Sequence, residues 1–485
     1  MKFFQRKKSI PVAATLAAGF LISATGFISN DTEAKSSEKK DKSTWLAGDH
    51  HIHTEWSFKY DYTQNPITGI KGGDAVYPIE KQAKMAKKFG LDWIVTTDHG
   101  GPNHSADNLE GAYPDVLKSR EKHRDLLHFY GLELNPAGAD HVSLIMPKSA
   151  NEADSLYRIE KEFGRGDIPG NPEDNDEAKM DRAVQYMASL PKKDQPIVFA
   201  NHPARDHSGI GVYDGKTSPA ELRRWNDTAP SIFTGMEGAP GHQADFYGED
   251  KRGRGIYEKA PTLGGYDQMT ATLGGFWDAM LGEGRKYWIT GTSDMHEHYS
   301  DGGREFWPGE YAKTYVKAEK DYNDVMESMR NGRMFVTTGD LISELDVTVK
   351  AKKKTAEIGE EIVISKHNRD NLNVEITFRD PKSKNANKEN PKVNRVDLII
   401  GEITGESKDD KNPTTKVIKR FNENEFKRHG EYITVSYKLD DINTNSYIRV
   451  RGTNTNELEP NTDPKDENPW SDLWFYSNPV FIKVK

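Results

Sequence analysis

The sequence predicts an α/β chain in two parts: a parallel sheet or barrel over residues 45–340, then an antiparallel β-sandwich over residues 341–485. Three observations carry that reading. Before Phe335, short apolar runs alternate with stretches of helical periodicity, the pattern of repeated strand–helix units. From Phe335 onward the helical period stops, and strands of period two follow one another between Asn, Asp, Lys, Gly and Pro turns. Through the first part, histidines and carboxylates recur at the ends of the apolar runs, where an α/β sheet delivers its functional groups.

At 485 residues the chain is too long for one ordinary core. A net charge of -9 argues against a general nucleic-acid binder but leaves room for a phosphorylated substrate, since bound metal can supply local positive charge. Lys2, Arg6, Lys7 and Lys8 precede an apolar stretch from Pro11 to Ile28, and Thr32-Glu33-Ala34 offers a small-x-small cleavage pattern. Residues 1–34 therefore read as a secretory signal peptide and residues 35–44 as a polar linker. A retained anchor is the alternative, close to the lower length limit for spanning. The expected product is exported, secreted or held at the cell surface, with no membrane association after signal removal. The chain has no Cys, so neither a disulfide framework nor lipid attachment at cysteine is available.

The first expected strand, Trp45-Leu46-Ala47, runs into Gly48-Asp49-His50-His51-Ile52-His53-Thr54. Side chains two apart on a strand point the same way, so His51 and His53 would present two imidazoles on one side and His50 would face the other. A loop over 55–73 leads to a helix in which Val76, Ile79, Ala83 and Ala86 repeat at helical spacing, with Pro78 in its first turn and Gly90 at its end. Strands follow at Trp93–Thr97, ending at Asp98-His99, then at Leu127–Leu134 and His141–Met146. A helix is expected over Asp176–Leu190, a strand at Ile197–Ala200 ending at Asn201-His202-Pro203, and another at Ile232–Glu237. A helix near Gln268–Leu281 precedes a strand at Tyr287–Thr292 that ends at Ser293-Asp294-Met295-His296. Beyond Phe335 the strands centre on Val347, Val363, Ile376, Leu398, Val435, Ile448 and Ile482, and the polar excursions 381–392 and 402–416 read as long exposed hairpins.

Imidazole nitrogens and carboxylate oxygens together, without thiolates, suit zinc, manganese or iron. The set His51, His53, Asp98-His99, Glu133, His141, His202, Asp294 and His296 holds more ligands than one ion needs. Two or three ions bridged by a carboxylate would use them, clamping a phosphoryl group while activating water.

Taken in order, His-x-His, Thr-Asp-His, Gly-x-Glu, a following His, Asn-His-Pro and Ser-Asp-x-His resemble the polymerase and histidinol phosphatase (PHP) superfamily, over roughly Gly48 to Gly339. The resemblance implies a distorted (β/α)7, TIM-like barrel with a di- or trinuclear metal centre, usually hydrolysing phosphate esters. Residue by residue, His51 and His53 match the ligands of the first motif, His99 that of the second, and Glu133 the carboxylate bridging two ions. His141, His202, Asp294 and His296 match the remaining ligands. The pattern departs after His53: many relatives have Ser-Asp-Gly there, whereas Ser57 is followed by Phe58. Asp74 could fill that role across an inserted loop, with Asp61 as the rival. The exported N-terminus, the β-domain, and Thr337-Thr338-Gly339-Asp340 with Ile358-Gly359-Glu360 further resemble a branch that includes carbaryl-esterase-like metallohydrolases.

The expected function is an exported phosphoesterase using two or three divalent ions (Zn, Mn or Fe) and a metal-activated hydroxide on a small phosphorylated or ester substrate. Glu133, Asp294 and His296 carry the chemistry, and Arg205 is either an anion clamp or a surface ion pair. A carboxyl-ester or amide hydrolase using the same metals is one alternative. A cell-surface binding protein with structural metals, its β-domain associating with cell wall, is another. Asp98 is expected to orient a His ring, and Glu237 to support a ligand or pack. His104, His207, His242 and His298 read as solvated loop residues or as an entrance lining. Trp470, Trp474 and Tyr476 read as β-domain core, with a carbohydrate platform as the rival.

Overall fold

The computed structural model describes residues 42–241, 259–365, 372–405, 409–463 and 468–485. The expected signal peptide, nearly all of the linker and His242 lie outside them. The elements begin with β1 (Thr44–Asp49), a hairpin of β2 (Lys59–Asp61) and β3 (Thr68–Ile70), α1 (Ile79–Lys88), β4 (Trp93–Thr96), α2 (His104–Asp107) and α3 (Tyr113–Lys122). Next come β5 (Leu127–Leu134), β6 (Val142–Ile145), α4 (Glu152–Phe163), α5 (Ala178–Ser189), β7 (Ile197–Ala200), α6 (Pro219–Thr228) and β8 (Phe233–Ala239). They are followed by α7 (Gln268–Ala271), α8 (Phe276–Gly282), β9 (Trp288–Gly291), β10 (Ala312–Ala318), α9 (Tyr322–Arg330) and β11 (Met334–Thr338). Apart from a 3-10 turn at Glu423–Glu425 the rest is strand: β12 (Glu344–Ala351), β13 (Lys354–Ala356), β14 (Glu361–Ile364), β15 (Leu372–Arg379), β16 (Arg395–Glu402) and β17 (Lys416–Asn422). The last are β18 (Lys427–His429), β19 (Tyr432–Leu439), β20 (Ser446–Thr453), β21 (Trp474–Ser477) and β22 (Val480–Val484).

Local sequence explains the boundaries. Pro78 caps α1 in extended conformation, Gln82, Ala83 and Ala86 form its buried face, and Gly90 at φ 78° takes the chain out. Ser218 and Glu221 close a capping box on α6, with Pro219 in its first turn. The single helix expected over 268–281 is two, because Gly274 sits at φ 71°, a left-handed conformation no helix interior holds.

The architecture is mixed α/β: one large mixed sheet and a separate antiparallel sheet. The large sheet runs β14-β22-β20-β21-β11-β10-β1-β4-β5-β6-β7-β8-β9, with β16 and β17 branching from β20. β1–β4, β4–β5, β7–β8 and β8–β9 are parallel. The parallel expectation fails at β6, which is antiparallel to both neighbours. Only residues 135–141 join it to β5, too short for the crossover a parallel pair requires. At its far end the sheet returns: Ile52 bridges Met295, and Gly291 and Thr314 exchange two hydrogen bonds of 2.8 Å. The carboxyl end of β9 thus meets that of β1.

The separate sheet, β13-β12-β15-β19-β18, is antiparallel throughout. Its inward residues Val347, Val349, Val374 and Ile376 share one apolar core with Leu398, Ile448, Val450 and Ile482 of the large sheet, and with Ala83, Ala86 and Ile94. That core therefore crosses residue 340 without a break, and β21 pairs directly with β11. One compact unit spans Lys42–Lys485. The expectation of antiparallel pairing fails at β14, which lies parallel to β22. Residues 381–392 are no hairpin: β15 and β16, on either side, belong to different sheets. The β16–β17 hairpin does exist, but instead of standing clear it docks on α8, with Asn412 buried and its N–H donating to Gly274 O at 2.8 Å. Trp470, Trp474 and Tyr476 are buried in the core. Among the described residues no helix is long and apolar enough to cross a membrane.

Candidate metal centre

The strand ends deliver the chemistry. His51 and His53 follow β1, His99 follows β4, Glu133 lies in β5, His141 precedes β6, His202 follows β7, and Asp294 and His296 follow β9. Asp74 arrives from the turn between β3 and α1. Gly131 shows why one motif begins with glycine: a Cβ there would lie 2.5 Å from Leu144 O and 2.6 Å from a Val95 methyl, so a side chain would push β5 off both neighbours.

These nine side chains converge. Four overlapping groups have ligand atoms within 4.8 Å of one another: His53–Asp74–His99–His296, His51–His53–Asp294, His51–Glu133–His202 and His99–Glu133–His141. Glu133 lies between them. Its Oε1 is 3.0 Å from His51 Nε2, 3.1 Å from His141 Nδ1 and 3.4 Å from His202 Nε2, and its Oε2 is 2.7 Å from His99 Nδ1. Asp294 Oδ1 lies 3.0 Å from His51 Nε2 and 3.1 Å from His53 Nε2. Asp74 Oδ2 faces His296 Nε2 at 3.5 Å and His99 Nε2 at 3.8 Å. Between the two rival aspartates the geometry separates cleanly: Asp61 bonds only to Thr63 and Gln64 within its own exposed turn.

Hydrogen bonding behind the rings fixes which nitrogen faces inward. Glu237 accepts from His51 Nδ1 at 2.7 Å, Ser57 Oγ accepts from His53 Nδ1 at 2.9 Å, and Asp294 O accepts from His296 Nδ1 at 2.9 Å. Each ring thereby turns its Nε2 toward the cluster, the arrangement of a metal-ligating histidine. The fit to a divalent cation shows in the orphans. Glu133 Oε2 and His141 Nδ1 are buried yet make no hydrogen bond of good geometry, although ring and carboxylate atoms lie near them. Ligands around one ion behave this way, standing about 3–3.5 Å apart with their lone pairs aimed at a common point rather than at each other.

Charge states follow from the same packing. Burial would raise the Glu133 pKa, but His141, His99 and His51 outweigh it and hold the carboxyl well below its ordinary value. Burial and then repulsion from His296 and His99 hold the His53 ring well below its usual range, keeping it neutral. Burial opposes charge on His51, yet Asp294, Glu133 and Glu237 hold it well above. Protons would therefore compete with any divalent cation for the cluster, as at any site built from imidazoles.

Several contacts escape sequence reasoning. Asp98 orients no His ring directly: it accepts from Thr54 N–H, Thr54 Oγ1 and Ser57 Oγ, and reaches His53 only through Ser57. Asn201, beside His202, donates to Glu133 Oε1 at 2.7 Å. Arg205 pairs with buried Asp140 at 2.7 Å, and Asp140 in turn faces His202 Nδ1 at 3.5 Å. His50 points away, stacked on Phe199, and burial lowers its pKa to about 4. The signal for Asp140 and Asn201 was their adjacency to His141 and His202.

The expectation of solvated or entrance-lining histidines fails for His104, His207 and His298, all of which are buried. His298 stacks on Trp307 and bonds to Glu310 at 3.0 Å. His104 donates from both nitrogens, to Glu160 at 2.5 Å and to Trp56 O at 2.9 Å, so it is an imidazolium. Burial opposes that charge, but Glu160 raises the pKa from 6.5 to about 9. A raised folded pKa stabilises fully below the unfolded value and is lost as pH rises through the folded one. Stability is therefore expected to fall between about pH 6.5 and 9 by about 3 kcal/mol, at ~1.4 kcal/mol per unit. Thermal melts of wild type and His104→Gln across that range check it; equal pH slopes would refute the assignment.

No family model matches the chain, and no curated protein matches it either.

Proposed function

We propose that the protein is a metal-dependent phosphoesterase whose centre is the cluster around Glu133. The observation that carries this reading is the convergence of nine ligand-type side chains, Glu133 among them, in four overlapping groups, with the Nε2 atoms of His51, His53 and His296 turned inward. In this reading β1 and β4–β9 make a distorted seven-stranded barrel of the PHP kind, and the chain is exported.

His51, His53, Glu133, His202 and Asp294 are buried to within 2% and would hold ions on the closed side, while Glu133 spans both halves. His99, His141, His296 and Asp74 are 18–38% exposed and form the side a substrate reaches. Bound divalent ions supply Lewis acidity and a water that ionises near neutral pH. On the open side, with Arg205 already paired to Asp140, the bound ions would stand against Asp74 alone, a balance that favours an anionic phosphate ester over a neutral carboxyl ester. In this reading Asp294 or His296 would accept a proton from the attacking water as well as ligate.

The test uses the purified full chain with its metal content measured. We expect two or three divalent ions per chain, hydrolysis of a phenyl phosphate, and loss of turnover on chelation with recovery on metal return. Turnover of a phenyl acetate without any phenyl phosphate would move the chain to the carboxyl-ester class. Metal content with no turnover on either ester would favour the binding-protein reading.

A further inference from the structure

Glu237 stands outside the nine ligand-type residues, yet its carboxylate touches three of the segments that carry them. It is wholly buried on β8. Oε1 accepts from His51 Nδ1 at 2.7 Å, beyond β1, and from Thr292 Oγ1 at 2.8 Å, beyond β9. Oε2 accepts from the backbone N–H of His202 at 2.7 Å, beyond β7. One side chain thus ties together the carboxyl ends of β1, β7 and β9.

The backbone says why a tie is needed. His202 has φ 29°, left-handed space that a residue with a side chain enters only at a cost of about 1–3 kcal/mol and keeps only when its surroundings over-determine it. Two carboxylates do so. Glu237 takes the His202 N–H, and Asp267, itself hydrogen-bonded through its N–H to Gly238 O, takes the Ala204 N–H at 3.0 Å. The turn that aims the His202 ring at Glu133 is therefore clamped from β8 and from the N-cap of α7. His51 depends on the same carboxylate for its tautomer: an acceptor at Nδ1 requires the proton there and leaves Nε2 bare.

We infer that Glu237 is the positioning residue of the metal centre, setting the His51 tautomer and the strained His202 turn together so that two ligands from different strands become competent as a pair. The inference rests on the metal-centre reading above. It also explains why Gln is no substitute. All three partners of Glu237 are donors, whereas Gln offers one acceptor oxygen and an NH2 that would face either His51 or the His202 N–H. Turned toward His51, that NH2 makes Nδ1 an acceptor, moves the proton to Nε2, and removes the lone pair the ion needs.

The experiment titrates the full chain with Zn2+ against a chromophoric chelator, for wild type, Glu237→Gln, Glu237→Ala, Thr292→Val and the control Glu152→Gln. Glu152 is a buried carboxylate tied to Arg120 and Tyr113, with no contact to the cluster, so it reports general damage to the fold. Outer partners of a ligating histidine are worth about 10–100-fold in metal affinity, so we expect losses of that size for both Glu237 variants. Glu152→Gln should stay within a few-fold of wild type by the same scale, and Thr292→Val, which removes one of the three donors to Glu237, should fall between it and the Glu237 variants. A second readout separates positioning from packing: in the zinc-loaded protein, the downfield His51 Nδ1–H signal should be present in wild type and lost or shifted in Glu237→Gln. Unchanged zinc affinity and an unchanged signal in Glu237→Gln would overturn the inference. Failure of wild type itself to bind zinc or another divalent ion would instead overturn the metal-centre reading.

Discussion

Glu133→Ala is expected to lose metal affinity by more than about a hundredfold, beyond what removal of an outer partner costs, and with it all turnover the wild type shows. The two oxygens of this carboxylate face different rings, Oε1 those of His51, His141 and His202 and Oε2 those of His53 and His99. Its removal leaves those rings around a void with nothing to bridge them. Glu133→Gln keeps the shape and loses the charge, so it should fall between alanine and wild type. Wild type should also gain thermal stability when metal is added, about 2.7 kcal/mol at a hundred times Kd, and the alanine variant should not. Metal content per chain, melting with and without added ion, and ester turnover check the whole set. A folded Glu133→Ala protein that keeps its metal and its rate would remove Glu133 from the centre. The neighbour His50→Gln serves as control, because that ring faces Phe199 and Thr290 rather than the cluster.

What could be read from the chain follows from which forces are local. Strand ends were legible because apolar β-branched runs such as Trp93–Thr96 stop where polar residues begin, and an α/β sheet sends those residues to one edge. His51 and His53 are close in sequence, so their shared direction needed no knowledge of the fold. Asp74 needed the fold, because the hairpin β2–β3 intervenes between it and His53 and nothing in the sequence says how far a hairpin leans. Burial of His104 and His298 was hidden for the same reason: their partners Glu160 and Glu310 are set by how helices and loops pack, not by neighbouring residues. Glu237 gave only a weak sign, a carboxylate ending a strand, while its three donors come from three distant segments. The reversal of β6 is legible in the seven residues 135–141, too few for a crossover, although the alternation of strand and helix around it is the pattern of a parallel sheet.

The change of character at Phe335 was legible as a change of secondary structure, yet secondary structure does not decide whether two segments share a core. Here Asp278 on α8 and Arg449 on β20 join them. Both are buried, at 1% and 0% side-chain exposure. Arg449 donates from Nε at 2.9 Å and from Nη2 at 2.7 Å, one to each oxygen of Asp278, and Tyr447 Oη donates to the same carboxylate at 3.0 Å. Asp278 also accepts the Gly274 N–H at 2.7 Å, holding the turn that divides α7 from α8. Asp278→Ala leaves a buried guanidinium without its counter-charge and is expected to cost about 3–5 kcal/mol of stability, read from denaturant unfolding. Replacing both partners, Asp278→Leu with Arg449→Met, removes the stranded charge along with the pair and should recover most of that loss. A single variant that loses less than about 1 kcal/mol would mean that Arg449 finds water or another carboxylate, and that the pair does not weld the two parts. The same pair decides a truncation. A chain ending at Asp340 strips β21 from β11 and leaves Asp278 buried without Arg449, so it should fail to fold even though every ligand-type residue of the metal centre lies before the cut.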